Sequence, residues 1–482
     1  MQPFYNPHRP NYHFTPPRNW MNDPNGLVYH KGEYHLFYQH HPESTIWGPM
    51  YWGHAVSHDL VNWQHLPISL SPDENGTIFS GSAVTDWKNT AGFGKEALVA
   101  LFTQSSPDRQ RQSLSFSYDN GRTWEKYRGN PILESQEAPE NFRDPKVFWY
   151  KAQDSEGHWV MAVAAENSVI FYTSDNLIDW NLVSRFENKI EKTGGVWETP
   201  DLFELPIDNG QRSCWVLTIG VESCAPGGGS GMLYFVGHFD GETFTKENPE
   251  NTFQRVDFGS DFYAAQSWNQ EPSGRRIWIG WMSNWSYAND TPATSWRGVL
   301  SIPRQLGLVS NKKGLRLTQE PIPELKNLRE NCKSWLNEDI IPDSNLIVET
   351  ESGSFEIIAN FEGLEKTSAN ELGFRISLGE NEATYIQYNI QEQTLSIDRS
   401  QSGVVNFNPS FSAIHTAEMH PVSGKICFHI FVDHNSVEIF GNDGQIVFTE
   451  LIFPTSECLG LEVFSVGGKV VLQSMEIYDL KK

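Results

Sequence analysis

Ser57–Trp63 (SHDLVNW) begins a pattern that returns along the first part of the chain. Ser117–Trp124 (SYDNGRTW) and Thr173–Trp180 (TSDNLIDW) repeat it, and Asp240–Phe244 (DGETF) is a weaker fourth copy. The aspartates at positions 59, 119, 175 and 240 are 60, 56 and 65 residues apart, which is enough for four strands with generous loops. About 300 residues at about 60 per copy predict about five such units. We assign the Asp and Trp of each copy to the turn and to packing between strands.

Short apolar runs fill the spaces between these copies. Tyr34–Tyr38 and Trp159–Val163 are two of them, and each is bounded by clusters of Gly, Asn, Asp and Pro. This alternation is typical of many short strands joined by tight turns. The first 300 residues or so therefore predict an all-β domain of the β-propeller type.

The composition changes near residue 300, where the tryptophans end: sixteen of the seventeen lie at or before Trp296. Thr318–Arg329 predicts a short helix with Pro323 in its first turn. Beyond it, apolar alternation in Phe428–Val432 and two strand-like runs flanking Gly441–Gly444 predict an antiparallel β-sandwich. We predict a propeller over residues 1–318, a linker with the short helix over 319–334, and the sandwich over 335–482.

Charge and hydropathy exclude several classes of partner. The 36 Lys and Arg face 60 Asp and Glu, and a net charge of -24 repels nucleic acid and anionic membranes. No run of about 18 apolar residues could span a bilayer as a helix. The N-terminal segment 1–10 lacks the basic and apolar regions of a secretory signal, which favours a cytoplasmic location, with a secreted protein whose signal was removed as the alternative.

The cysteines give no sign of a metal site. Their number is odd and their spacing fits no metal-ligand pattern, so we expect buried or half-buried free thiols, no metal and no cofactor. This mildly favours a reducing compartment. The five are Cys214, Cys224, Cys332, Cys427 and Cys458.

The first candidate for chemistry is the segment Trp20–Gly26 (WMNDPNG). Proline and glycine after Asp23 predict a turn at a strand end, which would present its carboxylate. Trp20 offers a stacking face and Asn22 an amide, and both groups suit a sugar. Taken alone, an Asp-Pro in a β-rich protein is far more often only a turn.

Two further acidic residues lie in comparable segments. In Phe142–Pro145 (FRDP), Arg143 stands beside Asp144 and is expected to keep it ionised as an acceptor for sugar hydroxyls. In Trp197–Asp201 (WETPD), the indole before Glu198 is expected to desolvate it and raise its pKa toward that of a useful acid.

The spacing of the three segments outweighs the turn interpretation. They begin at residues 20, 142 and 197, about two blade lengths and then one blade length apart. A propeller can direct carboxylates from different blades into one axial pocket. Retaining cleavage of a glycosidic bond needs two carboxyl groups about 5–5.5 Å apart, one as nucleophile and one as acid/base.

These residues resemble those of glycoside hydrolase family 32, which includes invertases, exo-inulinases and levanases. The WMNDPNG segment is highly specific, and the match covers nearly the whole chain. It continues through Phe37–Gln39, Trp47–Pro49, Phe79–Ser82, Arg143–Pro145, the Glu198 segment, Gly280–Ser283, Phe431–Asp433 and Ser436–Phe440.

The resemblance implies a five-bladed propeller with the active site in its central funnel, followed by a β-sandwich. It implies Asp23 as nucleophile, Glu198 as acid/base and Asp144 as transition-state stabiliser. It further implies these walls of a fructose pocket: Asn22, Gln39, Trp47, Phe79, Ser80 and Arg143, with Trp20 and Trp281 nearby. One departure is Thr199, where many members carry Cys; a hydroxyl bond from Thr199 to Glu198 would lower the pKa of that glutamate.

We therefore predict a retaining β-fructofuranosidase that releases terminal non-reducing β-D-fructofuranose from sucrose or from fructans (inulin, levan) by double displacement. Its partners are expected to be these small-molecule or oligosaccharide substrates alone. The same residues are compatible with a fructosyltransferase that makes fructo-oligosaccharides, with a sucrose-6-phosphate hydrolase, and more remotely with a non-catalytic carbohydrate-binding propeller. The sequence leaves the preferred linkage and the oligomeric state open.

Overall fold

The structure is a computed structural model of the 482-residue chain. It describes residues 8–152, 156–187, 195–247, 253–292, 295–376, 382–455 and 460–481. Among these residues no helix is both long and apolar enough to cross a lipid bilayer. The described residues form five sheets in the first two thirds of the chain and two larger sheets in the rest.

Each of the first five sheets is an antiparallel meander that begins with the strand closest to a common axis. The first sheet contains β1 (Asn19–His30), β2 (Glu33–His41), β3 (Tyr51–Ser57) and β4 (Trp63–Leu70), and the second β5 (Thr77–Asp86), β6 (Ala97–Ser106), β7 (Arg109–Ser117), β8 (Glu125–Lys126) and β9 (Leu133–Glu134). The third contains β10 (Phe142–Tyr150), β11 (His158–Ala165), β12 (Ser168–Ser174) and β13 (Asn181–Glu187), and the fourth β14 (Trp197–Pro206), β15 (Ser213–Val221), β16 (Gly231–Phe239), β17 (Phe244–Lys246) and β18 (Gln254–Arg255). The fifth contains β19 (Tyr263–Ser267) and β20 (Ile277–Trp281), then, after the two-residue β21 (Trp296–Arg297), β22 (Arg304–Asn311) and β23 (Gly314–Pro321).

The inner strands close into a ring. β1, β5, β10, β14 and β19 each contact the next, and β19 contacts β1. β21 lies between β20 and β22 in the chain but belongs to the first sheet, where it pairs in parallel with β1. Asn19 lies opposite Trp296 and Trp20 opposite Arg297. The predicted five-bladed β-propeller is therefore confirmed.

The repeated segments form the turns between the third and fourth strands of the blades. The Asp59 carboxylate accepts hydrogen bonds from the backbone N–H groups of Val61 and Asn62, and Trp63 Nε1 donates to the carbonyl of Leu60. Asp119 and Trp124 act in the same way in the second blade. The turn and packing roles that the sequence predicted for these residues are what the structure shows.

In the third blade the residue in this role is Asn176, not Asp175. Its Oδ1 accepts from the N–H groups of Ile178 and Asp179, as Asp59 does from its neighbours. An amide oxygen and a carboxylate oxygen accept the same bonds, so the two residue types exchange at this position. The repeat spacing in that part of the chain is thus 57 and then 64 residues, counted from 119 to 176 and from 176 to 240.

A short 3-10 helix (Pro323–Leu328), with Leu325 and Leu328 buried, leads from the propeller to two six-stranded antiparallel sheets. In sheet order the first contains β24 (Arg329–Ile340), β35 (Val470–Leu480), β26 (Phe355–Glu362), β31 (Lys425–Asp433), β32 (Ser436–Gly441) and β33 (Ile446–Leu451). The second contains β25 (Leu346–Glu349), β34 (Gly460–Val466), β27 (Glu371–Ile376), β28 (Ala383–Asn389), β29 (Thr394–Gln401) and β30 (Ile414–Glu418). Phe374 of the second sheet packs against Phe361 and Phe428 of the first. This is the predicted β-sandwich; the exact division at residues 318 and 334 stays a prediction.

Buried ion pairs fix the sandwich to the propeller. His13, before the first blade, bonds Asp433 through Nδ1 and Glu438 through Nε2, each at 2.8 Å. Arg304 of β22 binds the same Glu438 and also Asp257. Burial alone would lower the pKa of His13, but the bonds to Asp433 and Glu438 raise it to about 9.

The cysteines fit the expectation only in part. Cys214 is buried and Cys427 half-buried, whereas Cys224 and Cys332 are exposed, which contradicts the expectation of burial for these two. All four are free thiols, and Cys458 lies outside the described residues.

Candidate active site

The five inner strands share one irregularity. In each, the pairing register with the second strand of the blade shifts shortly after the strand begins: between Met21 and Pro24, Ile78 and Gly81, Arg143 and Lys146, Glu198 and Asp201, and Tyr263 and Gln266. A β-bulge redirects the side chains beside it. Because all five bulges lie at the same end of the ring, the redirected side chains meet at one mouth of the propeller.

The sequence predicted a turn after Asp23, and the structure differs there. β1 continues through Pro24 and Gly26 to His30, and Asp23 lies in its bulge. Its Oδ2 accepts a 2.6 Å bond from Ser80 Oγ, and its Oδ1 accepts a 2.9 Å bond from Asn22 Nδ2. Burial raises the pKa of Asp23 to about 6, against the lowering by Ser80 and with a further rise from the Glu198 carboxylate.

Glu198 is held by two donors on opposite oxygens. Arg143 donates from Nε and Nη2 to Oε1, each at 3.0 Å, and the Tyr263 hydroxyl donates to Oε2 at 2.5 Å. The ring of Trp197 lies instead in the core beside Phe186 and Phe235. The expected shielding of Glu198 by its neighbour Trp197 is therefore replaced by contacts from two other blades.

Asp144 lies with φ at +66°, a left-handed conformation that is strained for a residue with a side chain. Its N–H donates to Thr103 Oγ1 at 2.9 Å, and its Oδ2 accepts at 2.8 Å from the N–H of Thr199, which is itself left-handed at +46°. Burial, and next the Glu198 carboxylate, raise the pKa of Asp144, although Arg143 lowers it. The expectation that Arg143 helps to keep Asp144 ionised agrees with the direction of its effect, but burial and Glu198 together raise the pKa of Asp144, and the guanidinium binds Glu198.

Thr199 does not act on Glu198 through its hydroxyl. Within the described part of the chain, its buried Oγ1 has no hydrogen-bond partner, and only its backbone N–H contributes to the site. The predicted hydrogen bond from this hydroxyl to Glu198 is therefore not formed among the described residues.

These side chains line a cavity of about 400 Å³ at the mouth of the propeller. Six of the eight predicted wall residues lie on it: Asn22, Gln39, Trp47, Phe79, Ser80 and Arg143. The three carboxyl-bearing residues line it as well. Sequence reasoning missed the other wall residues: Gln110, Asn141, Glu222, Trp285 and Asn289. Asn141 directly precedes the segment Phe142–Pro145 and Trp285 lies two residues after Gly280–Ser283, so slightly longer segments would have included both.

Trp20 and Trp281 lie behind the wall, since their rings are 0% and 1% exposed and neither lines the cavity. Trp20 donates from Nε1 to Asn22 Oδ1 at 2.7 Å and stacks on Trp285, and Trp281 packs against both of these rings. Direct sugar contact by these two is therefore not supported. They position Asn22 and Trp285, which do face the cavity.

Trp285 is also fixed from its own loop. Asn284, 1% exposed, donates from Nδ2 to the carbonyls of Gly228, Ser230 and Ser260 and ties three loops together. At the outer rim, Asn289 Oδ1 accepts from the N–H of Trp47 at 3.0 Å. With Phe79 of the second blade packed on Trp47, the aromatic part of the wall is built from the first, second and fifth blades.

A buried ion pair lies directly past the bulges. Lys146 Nζ donates to Asp201 Oδ2 at 3.1 Å and to the backbone carbonyl of Ser267 at 2.8 Å, so groups from three blades meet there. Burial lowers the pKa of Lys146, and Asp201 opposes that change. This contact holds the third, fourth and fifth inner strands at the spacing that the cavity needs.

The arrangement defines a class of protein. Carboxyl groups from neighbouring blades share one cavity with hydroxyl, amide and aromatic groups that suit a sugar, and paired carboxyl groups of this kind cleave glycosidic bonds. The fold and the site are those of a glycosidase.

Comparison with known proteins agrees. Residues 13–321 match the description "Glycosyl hydrolases family 32 N-terminal domain" and residues 324–479 "Glycosyl hydrolases family 32 C terminal". A levanase of Bacillus subtilis is 51% identical over 98% of this chain and 71% of that protein. An extracellular exo-inulinase of Aspergillus awamori is 37% identical over 98% of this chain and 95% of that protein. A crystal structure of exo-inulinase from the same fungus has a TM-score of 0.91 with 35% identity and covers 100% of this chain and 99% of that one.

The chain belongs to glycoside hydrolase family 32. Its activity is accordingly that of a β-fructofuranosidase, a retaining glycosidase of fructans and sucrose.

Proposed function

We propose that Asp23 attacks the anomeric carbon of a terminal β-D-fructofuranoside while Glu198 protonates the departing oxygen. The fructosyl-enzyme is then released by a water molecule from which Glu198 takes a proton. Asp144 accepts hydrogen bonds from fructose hydroxyls, and these bonds strengthen toward the oxocarbenium-like transition state. The observation that carries the proposal is the meeting of the three carboxyl groups in one cavity.

The surroundings of Asp23 support its role. A nucleophile must be ionised, and with a pKa of about 6 most of Asp23 carries a charge at neutral pH. Ser80 and Asn22 each donate to a different oxygen of the carboxylate and so fix its orientation. Orientation of this kind keeps the attacking oxygen pointed at its target.

The surroundings of Glu198 suit a group that both gives and takes a proton. Arg143 occupies Oε1 with two N–H donors, which leaves Oε2 for proton exchange. The Tyr263 hydroxyl at Oε2 can donate to a carboxylate or accept from a carboxylic acid, so it can serve both states. Burial and the like charge of Glu198 raise the pKa of Asp144 above its usual range, although Arg143 opposes them.

The names of the relatives favour levan and inulin as substrates, with sucrose as the smallest one. We test this by measuring free fructose and glucose released from sucrose, inulin and levan. Fructose release should fall by at least about a thousandfold in Asp23→Asn and Glu198→Gln, since each removes a required group. Glu242→Gln, in an exposed turn of the fourth blade, is the matched control and should keep wild-type activity.

Two further readouts separate the steps. Rapid NMR of sucrose cleavage should show β-fructofuranose as the first product, because double displacement retains configuration. At high sucrose, glucose release above fructose release would measure transfer to a second sugar. Substantial turnover by Asp23→Asn, or release of the α-anomer, would contradict the proposed roles.

We also propose that the enzyme is secreted, which is the alternative location given by the sequence analysis, because the fungal relative is named extracellular. The cytoplasmic location favoured by the sequence stays a prediction. Sucrose hydrolysis in culture medium compared with washed, lysed cells distinguishes the two.

A further inference from the structure

The mouth of the cavity carries a fourth carboxylate that the mechanism does not use. Glu222 directly follows the last residue of β15 and lines the same cavity as Glu198. Glu198 pairs with Gly220 across the two strands, and residues two apart on a strand face the same side. Glu222 therefore projects from the side of the sheet that Glu198 occupies, one step closer to solvent.

The backbone fixes this placement. The N–H of Glu222 donates to the carbonyl of Val196 at 3.1 Å, which extends the β14–β15 pairing past its last named residue. Glu222 is exposed, whereas Asp23 and Asp144 deeper in the cavity are buried and Glu198 is half-buried. Partial burial, and next the Glu198 carboxylate, raise the pKa of Glu222, which is consistent with its closeness to Glu198.

No free positive charge balances these groups within the described part of the wall. Arg143 is the one cation among the described residues that line the cavity. Its guanidinium already binds Glu198, Gln110 and Asn141. A second acidic residue, Glu166, stands behind the wall and accepts a 3.1 Å bond from Asn141 Nδ2.

We propose that Glu222 is a specificity-determining residue that makes the site accept neutral leaving sugars and reject phosphorylated ones; this inference rests on the proposed function. With the fructosyl unit at Asp23, the leaving sugar extends past Glu198 toward the mouth, where Glu222 stands. A phosphomonoester there carries nearly two negative charges at pH 7. Repulsion by a nearby carboxylate, with no cation free to pair among the described wall residues, selects against it.

The test compares sucrose with sucrose 6-phosphate, which differs only by a phosphate on the leaving glucose. We expect kcat/KM for sucrose 6-phosphate to be about a hundredfold lower at pH 7 and low salt. Glu222→Gln should lower the ratio of kcat/KM for sucrose to kcat/KM for sucrose 6-phosphate by about tenfold, and Glu222→Lys should lower this ratio further. Glu365→Gln removes the same charge from an exposed loop of the sandwich and should leave the ratio unchanged.

Salt provides a readout that a purely structural role would not move. Raising NaCl from about 20 to about 500 mM should increase kcat/KM for the phosphorylated substrate in the wild type, because salt screens exposed charges. Equal hydrolysis of the two substrates, or a ratio that Glu222→Lys leaves unchanged, would overturn the inference while leaving the proposed function in place. Hydrolysis of neither substrate would overturn the proposed function and this inference with it.

Discussion

Removal of the Ser80 hydroxyl should move the acidic limb of the pH–activity profile upward. Ser80 Oγ donates to Asp23 Oδ2 at 2.6 Å, and both residues are buried. Burial raises the pKa of Asp23 to about 6, and the Ser80 bond is the first of the effects that hold it down. In Ser80→Ala this opposing effect is lost, so the pKa of Asp23 rises and a larger fraction is protonated at any acidic pH.

The size of the shift follows from the bond. A hydrogen bond to a charged group contributes about 1.5–3 kcal/mol, and about 1.4 kcal/mol corresponds to one pH unit. The acidic limb of kcat/KM should therefore move up by about one to two pH units from its wild-type position near 6. Activity at pH 5 should fall more than tenfold, whereas the loss above pH 8 should be much smaller.

The assay is kcat/KM for sucrose between pH 4 and 9 at constant ionic strength. Ser115→Ala is the matched control, because it removes a buried hydroxyl of the same blade that bonds the Glu125 carbonyl and not Asp23. An acidic limb that stays in place, or one that moves down, would refute the reasoning. Asn22 Nδ2 remains bonded to Oδ1 in the variant, so Asp23 keeps one donor and the comparison concerns one bond.

Three other predictions concern stability and positioning. Lys146→Met should lower the free energy of unfolding in urea by about 3–5 kcal/mol, because it leaves Asp201 buried without its cation. The added change Asp201→Asn should restore part of the lost stability. An unchanged free energy of unfolding in Lys146→Met would contradict this role of the ion pair. The pKa of His13 is raised from 6.5 to about 9, so its stabilising effect is complete below about pH 6.5 and is lost as pH rises through about 9. The difference in unfolding free energy between wild type and His13→Gln should accordingly shrink from pH 6 to pH 10, and a constant difference would show that the ion pairs do not act this way. Asn284→Asp removes the amide donors to three carbonyls, so it should loosen the loop that carries Trp285 and lower kcat/KM at least about tenfold, visible also as a change in tryptophan emission.

The turns show what local sequence can predict. Asp59 with Trp63 and Asp119 with Trp124 make the backbone bonds that their residue types favour, because an Asx side chain bonds the N–H groups just ahead of it. The error at Asp175 has the same origin, since a neighbouring Asn can make the same bonds and the sequence does not say which of the two faces the turn. Hydrogen bonds between groups within four residues of each other could thus be predicted from the sequence, whereas the exact alignment of a weak repeat could not.

Contacts between blades were harder to predict. Trp197 was paired with the carboxylate next to it in sequence, yet successive side chains of a strand point to opposite faces, and Trp197 packs into the core. Arg143 and Asp144 both line the cavity, because the bulge interrupts this alternation, and Arg143 reaches Glu198 in the next blade. Strict use of alternation would have separated Trp197 from Glu198, but the contacts of Arg143 and Tyr263 with Glu198 could be found only from the ring of blades in three dimensions.

Proline explains why the carboxylates stand where they do. Pro24, Pro145 and Pro200 each fall within the register shift of an inner strand. Proline has no N–H to give to the ladder, so it is tolerated at a bulge, where the pairing is already interrupted, and on β10 and β14, which are edge strands of their sheets. The Asp-Pro and Thr-Pro steps predicted turns, but the strands continue through them and only the bulge remains. The bulge then turns Asp23, Asp144 and Glu198 into the cavity, so the residue that interrupts each strand also determines where its carboxylate points.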